Sequence, residues 1–178
     1  MTRIEDYALI GDLQSAALVS TEGSIDWLCL PRFDSPACFA ALLDEPRAGR
    51  WLLAPAIGGT CTRRSYRGQT LVLEPEWETP EGTVRVLDFM PHRGEAPDVV
   101  RIVEGVRGAV EMGGELVLRF DYGRVVPWVR HGEEGLTAIA GPDAAYRRTP
   151  VPVHGQEERS LSAFTVRAGD RVPFVLTW

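Results

Sequence analysis

Residues 70–90 read Thr70-Leu-Val-Leu-Glu-Pro-Glu-Trp-Glu-Thr-Pro-Glu-Gly-Thr-Val-Arg-Val-Leu-Asp-Phe-Met90, and they contain the clearest strand pattern in the sequence. Its first part alternates, with Leu71, Leu73 and Trp77 on one face and Val72 and three glutamates on the other, which is typical of a half-buried strand. The turn residues Pro and Gly follow within 79–82. The valines of Thr83–Met90 then share one face of a returning strand. The stretch therefore predicts a β-hairpin.

Short strand-like runs continue on both sides of this hairpin. Ala16–Ser20 and Ile25–Leu30 predict an earlier hairpin, and Asp98–Val106 and Val110–Asp121 predict two strands separated by a turn at Arg107-Gly-Ala109. Many short strands with regular turns indicate an all-β sandwich or barrel. We predict a single all-β domain over residues 1–178. Further strands are predicted at residues 50–54, 60–66, 124–130, 136–140, 144–148, 161–167 and 172–178.

One short helix interrupts the predicted strands. Ser35 followed by Pro36 is a typical helix start, because proline is favoured at the first helical position. The apolar run Ala37–Leu43 then fits about two helical turns. The sequence predicts a helix near residues 36–43.

The composition excludes several classes of function. The 178 residues are 44% hydrophobic and 25% charged, which is typical of a globular protein. The net charge is −6 and the basic residues do not cluster into a continuous stripe, so we expect no nucleic-acid partner. The amino terminus lacks the apolar core of a signal peptide, and no run approaches the roughly 20 apolar residues of a membrane span. We expect a cytoplasmic chain with no membrane partner.

The residues that usually hold metals or act as nucleophiles are sparse. The chain has an odd number of cysteines (Cys29, Cys38 and Cys61) and no C-x-x-C motif. We therefore expect reduced thiols, not a zinc site or a disulfide framework. None of the three histidines accompanies a nucleophile motif or a second histidine at metal-binding spacing. We expect no metal and no cofactor.

The densest group of site-like residues lies between Asp26 and Pro36. Asp26 and Trp27 lie at one end of this segment, and Arg32, Phe33 and Asp34 lie in a proline-flanked loop. Aromatic faces can stack on sugar rings while acids bind hydroxyls, and loops held by rigid strands often carry function. The alternative is structural, with Arg32 and Asp34 bracing the loop and Trp27 filling the core. Both interpretations remain open at this point.

Two further acids next to aromatic residues are weaker candidates for a sugar contact. They are Asp88, which precedes Phe89, and Asp121, which precedes Tyr122. Glycoside hydrolysis needs two carboxylates flanking the scissile bond. No such pair stands out in the sequence, so we predict no catalytic residue in this chain.

Several ordered stretches carry a family resemblance. Residues Ile4–Asp12 (Ile-Glu-Asp-Tyr-Ala-Leu-Ile-Gly-Asp), followed by Gly23–Pro36, resemble the opening of bacterial glycoside hydrolase family 15 proteins, which include glucoamylase-like enzymes and trehalases. Later stretches resemble the same family in the same order: Asp88-Phe-Met-Pro91, Arg101–Gly108, Arg119–Arg124 and Pro127–Val129.

The resemblance implies the function of a parent protein. In this family a large antiparallel β-sandwich (a supersandwich) at the N-terminus precedes a linker and an α/α barrel, so the resemblance implies that fold for this chain. The barrel carries both catalytic glutamates of an inverting hydrolysis. No barrel motif occurs in this chain. The resemblance therefore implies an accessory domain of an α-glucoside hydrolase, a trehalase first and a glucoamylase second, that is inactive alone.

The resemblance also implies partners. They are the catalytic barrel of the same polypeptide and an α-glucoside such as trehalose, with Asp26–Pro36 as the candidate loop facing the barrel or the sugar. The domain would stabilise the barrel and shape the entrance of its sugar pocket. Its barrel-facing surface, when exposed, would be apolar and would favour self-association. Two alternatives remain: a self-sufficient carbohydrate-binding module and a purely structural sandwich.

Overall fold

The computed structural model describes residues 2–43, 46–133 and 135–178. Regular structure in these ranges is β, apart from two single 3-10 turns at Ile4–Asp6 and Pro46–Ala48. All strand pairings are antiparallel, as predicted. The strands are β1 (Ala8–Gly11), β2 (Ala16–Val19), β3 (Ser24–Cys29), β4 (Ala37–Phe39), β5 (Arg50–Pro55), β6 (Thr60–Tyr66), β7 (Leu73–Thr79), β8 (Gly82–Phe89), β9 (Asp98–Val117), β10 (Trp128–Gly132), β11 (Gly135–Ala140), β12 (Asp143–Arg148), β13 (His154–Gln156), β14 (Arg159–Arg167) and β15 (Arg171–Thr177).

The hairpin predicted over residues 70–90 is confirmed as β7 and β8. Thr79 pairs with Gly82 across a two-residue turn, and Trp77 pairs with Val84. Trp77 and Val84 are both buried, whereas the glutamates alternate outward. Leu71 differs from the prediction because it lies before β7 and is exposed. Burial of the apolar face is the main stabilisation of such a hairpin.

The long strand β9 organises the whole molecule. The sequence predicts two strands with a turn at Arg107-Gly-Ala109, but residues Asp98–Val117 form one strand. Gly108 has a φ of 68° and lets the strand bend without ending. A Cβ on Gly105 would lie 1.9 Å from the carbonyl oxygen of Arg167, so only glycine fits there. The first half of β9 pairs with β8 and β15, and the second half pairs with β5 and β14.

The fifteen strands form one hydrogen-bonded network that folds over at β9 into two halves. Both halves contribute to one continuous core, with Ile25 and Trp51 from one side and Val103 and Phe174 from the other. This arrangement is a two-layered antiparallel sandwich around a shared core. The long bent strand joins its two layers.

The helix predicted near residues 36–43 is wrong. Ala37–Phe39 form strand β4, in which Phe39 pairs with Leu28 of β3. The other edge of β4 is also bonded, because the amide of Arg119 donates to the carbonyl of Cys38 at 3.3 Å. Residues 37–40 are all buried, so a helix with one solvent-facing side does not suit the segment. These distant partners override its local helix propensity.

Two arginines are fully buried in the shared core, and they differ in their partners. Arg101 donates to both carboxylate oxygens of Asp88, at 2.8 and 3.2 Å, and to the carbonyls of Trp51 and Gly23. Arg147 makes no hydrogen bond through any guanidinium nitrogen within the described ranges. Buried charges are normally paired, so Arg101 follows the usual rule and Arg147 is an exception to it.

Candidate functional site

Asp26, the first predicted site residue, lies at a β-bulge. The register between β2 and β3 shifts so that Asp26 is the extra residue on β3. Bulges redirect side chains and occur often next to functional sites. The Asp26 carboxylate accepts hydrogen bonds from Ser24 Oγ at 2.5 Å and from Tyr7 Oη at 2.7 Å. The bulge therefore directs a carboxylate toward the amino-terminal segment.

Asp26 faces a polar cleft of about 600 Å³, whose lining also includes Tyr7, Glu22 and Arg50. Burial and the hydrogen bond to Asp26 raise the pKa of Tyr7 above its ordinary value, so its hydroxyl stays a donor. Arg50 is oriented by Glu115, whose Oε1 accepts from Arg50 Nε at 2.8 Å. Chemically, the cleft presents donors and acceptors suited to the hydroxyls of a sugar.

Arg32, Phe33 and Asp34 lie together in the exposed loop after β3. Arg32 Nε and Nη2 donate to the two oxygens of Asp34 at 2.9 and 2.8 Å. The hydrogen bond to Arg32 lowers the pKa of Asp34, and the same bond raises the pKa of Arg32. Phe33, between them, is 60% exposed. The ion pair braces a loop whose apolar tip points to solvent.

A second apolar tip lies beside this loop. The amide of Phe33 donates to the carbonyl of Gln14 at 3.0 Å, which joins the loop to the turn after β1. Leu13 in that turn has a φ of 72° and is 77% exposed. Asp12 holds the turn by accepting two of its amides, at 3.0 and 2.7 Å, and Arg93 Nε at 2.8 Å. We call Leu13 and Phe33 the tip patch.

Trp27 and Asp121 lie in a different environment from Asp26. The Trp27 ring packs against Tyr122 with centroids 6.1 Å apart. Asp121 and Tyr122 both have left-handed φ values, 49° and 57°, at the turn after β9. The Asp121 carboxylate is 3.7 Å from Arg124, and both side chains are exposed. Consecutive side chains of a strand point to opposite faces, so Asp26 lies in the cleft and Trp27 lies against the Tyr122 turn.

Asp88, the other weak candidate, is fully buried inside the sandwich. Both of its oxygens accept from Arg101, so the carboxylate has its partners within the core. Asp88 therefore has a structural role, and its carboxylate has no contact with solvent. The structure therefore brings Arg32, Phe33 and Asp34 together but leaves Asp26 and Asp88 in separate surroundings.

Sequence reasoning missed the partners that complete these sites. Tyr7, which binds Asp26, and Asp12, which fixes Leu13, both fall within the stretch Ile4–Asp12 that resembles the family opening. That resemblance was the one available signal for them. Arg50 and Arg93 gave no signal, because they reach these sites from distant strands and loops.

The three thiols are free, and burial raises the pKa of Cys29, Cys38 and Cys61. Among residues 2–43, 46–133 and 135–178, no three His, Cys, Asp or Glu side chains come together in a way that could hold a metal ion. None of the helical segments in the same ranges has the length and apolar character to cross a membrane.

Comparison with known proteins gives a consistent result. The family model described as "Trehalase-like, N-terminal" matches residues 1–160. Curated proteins named trehalase from Mycolicibacterium smegmatis and Mycobacterium tuberculosis are 32% and 33% identical, each over 98% of this chain and 30% of the relative. The trehalase of Thermoplasma volcanium is 26% identical over 88% of the chain. The chain spans about 30% of the length of the first two relatives.

Proposed function

Because the chain belongs to the trehalase-like N-terminal domain family, we propose that it is the accessory domain of an α-glucoside hydrolase and packs against a catalytic barrel of the same polypeptide. Trehalose is the favoured substrate of that parent, since the similar proteins are named trehalases. A glucoamylase-like parent is the second choice. The domain stabilises the barrel and shapes the entrance of its sugar pocket.

The tip patch is the observation that carries this proposal. Leu13 and Phe33 are 77% and 60% exposed, yet the segments that carry them are fixed by Asp12 and by the Arg32–Asp34 ion pair. Exposed apolar side chains on rigid loops suit a protein interface better than solvent. The tip patch also includes part of the loop between Asp26 and Pro36 that we expect to face the barrel.

A chimera tests the proposal. This chain replaces the corresponding N-terminal segment of the M. smegmatis trehalase, and both glucose release from trehalose and the unfolding temperature are measured. Phe33→Asp introduces a charge at the tip patch. Ile57→Asp is the matched control, because Ile57 is equally apolar, is 73% exposed and lies in the turn after β5.

The expected chimera releases glucose, and Phe33→Asp lowers its unfolding temperature and its turnover while Ile57→Asp does not. In the isolated chain both substitutions leave stability nearly unchanged, because both side chains are exposed. Arg32→Ala and Asp34→Ala loosen the loop and produce a weaker form of the Phe33→Asp effect. A folded chimera without activity, or a Phe33→Asp chimera identical to its parent, contradicts the proposal.

The polar cleft at Asp26 favours a second candidate function, a self-sufficient sugar-binding module. Its volume of about 600 Å³ is within the range of small-molecule sites. Titration of the isolated chain with trehalose and maltooligosaccharides, followed by tryptophan fluorescence, tests it. Saturable binding that Asp26→Asn abolishes would support a sugar site, and no response at high millimolar sugar would contradict it.

A further inference from the structure

The outer face of β10–β12 carries a set of exposed aromatic and basic side chains. Trp128 pairs with Ile139, and in the next row Arg130 pairs with Thr137, which pairs with Tyr146. Trp128 and Arg130 of β10 are exposed, and the residues on either side of Thr137 and Tyr146 are buried, so this face points away from the core. Trp128 is 67% exposed and Tyr146 is 47% exposed. Tryptophan, tyrosine and arginine are the residue types that dominate binding hot spots.

A groove of about 530 Å³ runs across this face. Gly132 pairs with Gly135, which pairs with Arg148. Because the two glycines have no side chains, this row of the sheet leaves space next to Arg148. A Cβ on Gly135 would lie 1.8 Å from the carbonyl oxygen of Arg147, and its φ of 146° also favours glycine. Arg130 and Tyr146 line the groove next to this open row. The fold therefore shapes a concavity between basic and aromatic walls.

The positive charge of this groove has no ion-pair partner among the described residues. Arg130 and Arg148 form no ion pair with any described residue, and no described acid lines the groove. Arg147 lies directly beneath, on the inner side of β12, and its buried guanidinium is also unpaired. A buried unpaired charge acts through a low-dielectric interior and is poorly screened. The concentration of positive charge is notable in a chain of net charge −6.

The neighbouring acids do not remove this charge. Asp98 lies opposite Thr177 in the same row as Tyr146, and its carboxylate accepts from the Thr177 hydroxyl at 2.5 Å. Glu133 is exposed in the turn after Gly132 and does not line the groove. Among the described lining residues, charged donors outnumber charged acceptors, which suits a ligand that carries carboxylates.

We propose that the outer face of β10–β12 binds an acidic segment of a protein partner, with its carboxylates on Arg130 and Arg148 and an apolar side chain against Tyr146 and Trp128. Charge complementarity carries this choice, since a neutral oligosaccharide would stack on the aromatic rings but leave the arginines without counter-charge. The site lies on strands other than those of the tip patch. It stands independently of the barrel contact proposed above.

Binding of a defined probe to the 178-residue chain tests the proposal. The probe is an acetylated, amidated hexapeptide of sequence Glu-Glu-Leu-Glu-Glu-Leu, and the comparison peptide carries Gln in place of every Glu. Amide chemical shifts locate the binding face, and tryptophan fluorescence gives the affinity at low and high salt. Maltoheptaose in place of the peptide tests the carbohydrate alternative.

We expect the acidic peptide to shift amides of β10–β12 and the Gln peptide to leave them unchanged. Arg148→Gln and Arg130→Gln should each weaken binding by about 1.4-fold to fivefold, which is the range for an exposed ion pair. The control Arg107→Gln removes an exposed arginine at the bend of β9 and should leave affinity unchanged. Added salt should weaken binding further.

Three outcomes would overturn the proposal. The first is shifts spread over the whole surface, and the second is equal weakening by Arg107→Gln, since both indicate charge attraction without a site. The third is saturable maltoheptaose binding at this face without acidic-peptide binding. None of these outcomes bears on the chimera, so failure here is distinguishable from failure of the barrel contact.

Discussion

Arg101→Met should lower the free energy of unfolding, whereas Arg147→Met should leave it unchanged or raise it. Both guanidinium groups are fully buried, and both lie over an aromatic ring, Arg101 at 5.3 Å from Trp51 and Arg147 at 5.8 Å from Phe174. They differ in hydrogen bonding. Arg101 binds Asp88 and two carbonyls, whereas Arg147 binds no described group.

Arg101→Met leaves the Asp88 carboxylate buried without a counter-charge. Removal of one partner of a buried ion pair costs about 3–5 kcal/mol of unfolding free energy. For a chain of this size that corresponds to roughly 6–20 °C in unfolding temperature. Arg147→Met instead removes a charge that has no partner, and replacing buried charge by apolar groups of similar volume is often neutral or stabilising by about 1–4 kcal/mol.

Urea unfolding followed by the fluorescence of the five tryptophans measures both changes. Burial alone lowers the pKa of Arg147 to about 10, which agrees in sign with a charge that destabilises the core. The reasoning would be refuted if Arg147→Met cost as much as Arg101→Met. It would equally be refuted if Arg101→Met were tolerated.

Three further predictions concern single side chains. Asp12→Ala should lower the free energy of unfolding in urea by about 3 kcal/mol, because it leaves Arg93 without its buried partner. A loss below about 1 kcal/mol would show that Asp12 does not hold this turn rigidly. Burial, with Arg147 and His154 nearby, lowers the pKa of His131, so the unfolded chain binds a proton at higher pH than the folded chain and stability should fall as the pH drops below about 6.5. His131→Gln should flatten this pH dependence, and an unchanged slope would show that His131 does not cause it. Tyr7→Phe should cost about 1–2 kcal/mol of unfolding free energy by removing a hydrogen bond from Asp26, and an unaltered urea midpoint would show that the bond is not stabilising.

The local parts of the fold could be predicted from the sequence. The β7–β8 hairpin follows from alternation and a two-residue turn, both of which are encoded within twenty residues. Gly108 was read as a turn because glycine usually interrupts a strand, yet β9 continues through it since partners on both sides hold the bend. Ala37–Phe39 forms a strand because it has partners on both edges, β3 on one side and the distant Arg119 amide on the other.

The candidate site was predictable only in part. Arg32, Phe33 and Asp34 lie close in sequence, and their ion pair is local, so a dense motif sufficed to identify the loop. The bulge at Asp26 depends on the pairing register of β2 and β3, which the composition of the segment does not reveal. Tyr7 meets Asp26 only because β1 pairs with β2 and β2 pairs with β3, which is a property of the tertiary fold.

The assignment as an accessory domain is tested by glucose release from trehalose by the isolated 178-residue chain, measured beside the chimera with the M. smegmatis trehalase. An accessory domain without a catalytic acid–base pair should release no glucose above buffer at any concentration, whereas the chimera should hydrolyse trehalose. Glucose release that rises in proportion to the concentration of the isolated chain would contradict the account. It would place the catalytic groups within these fifteen strands.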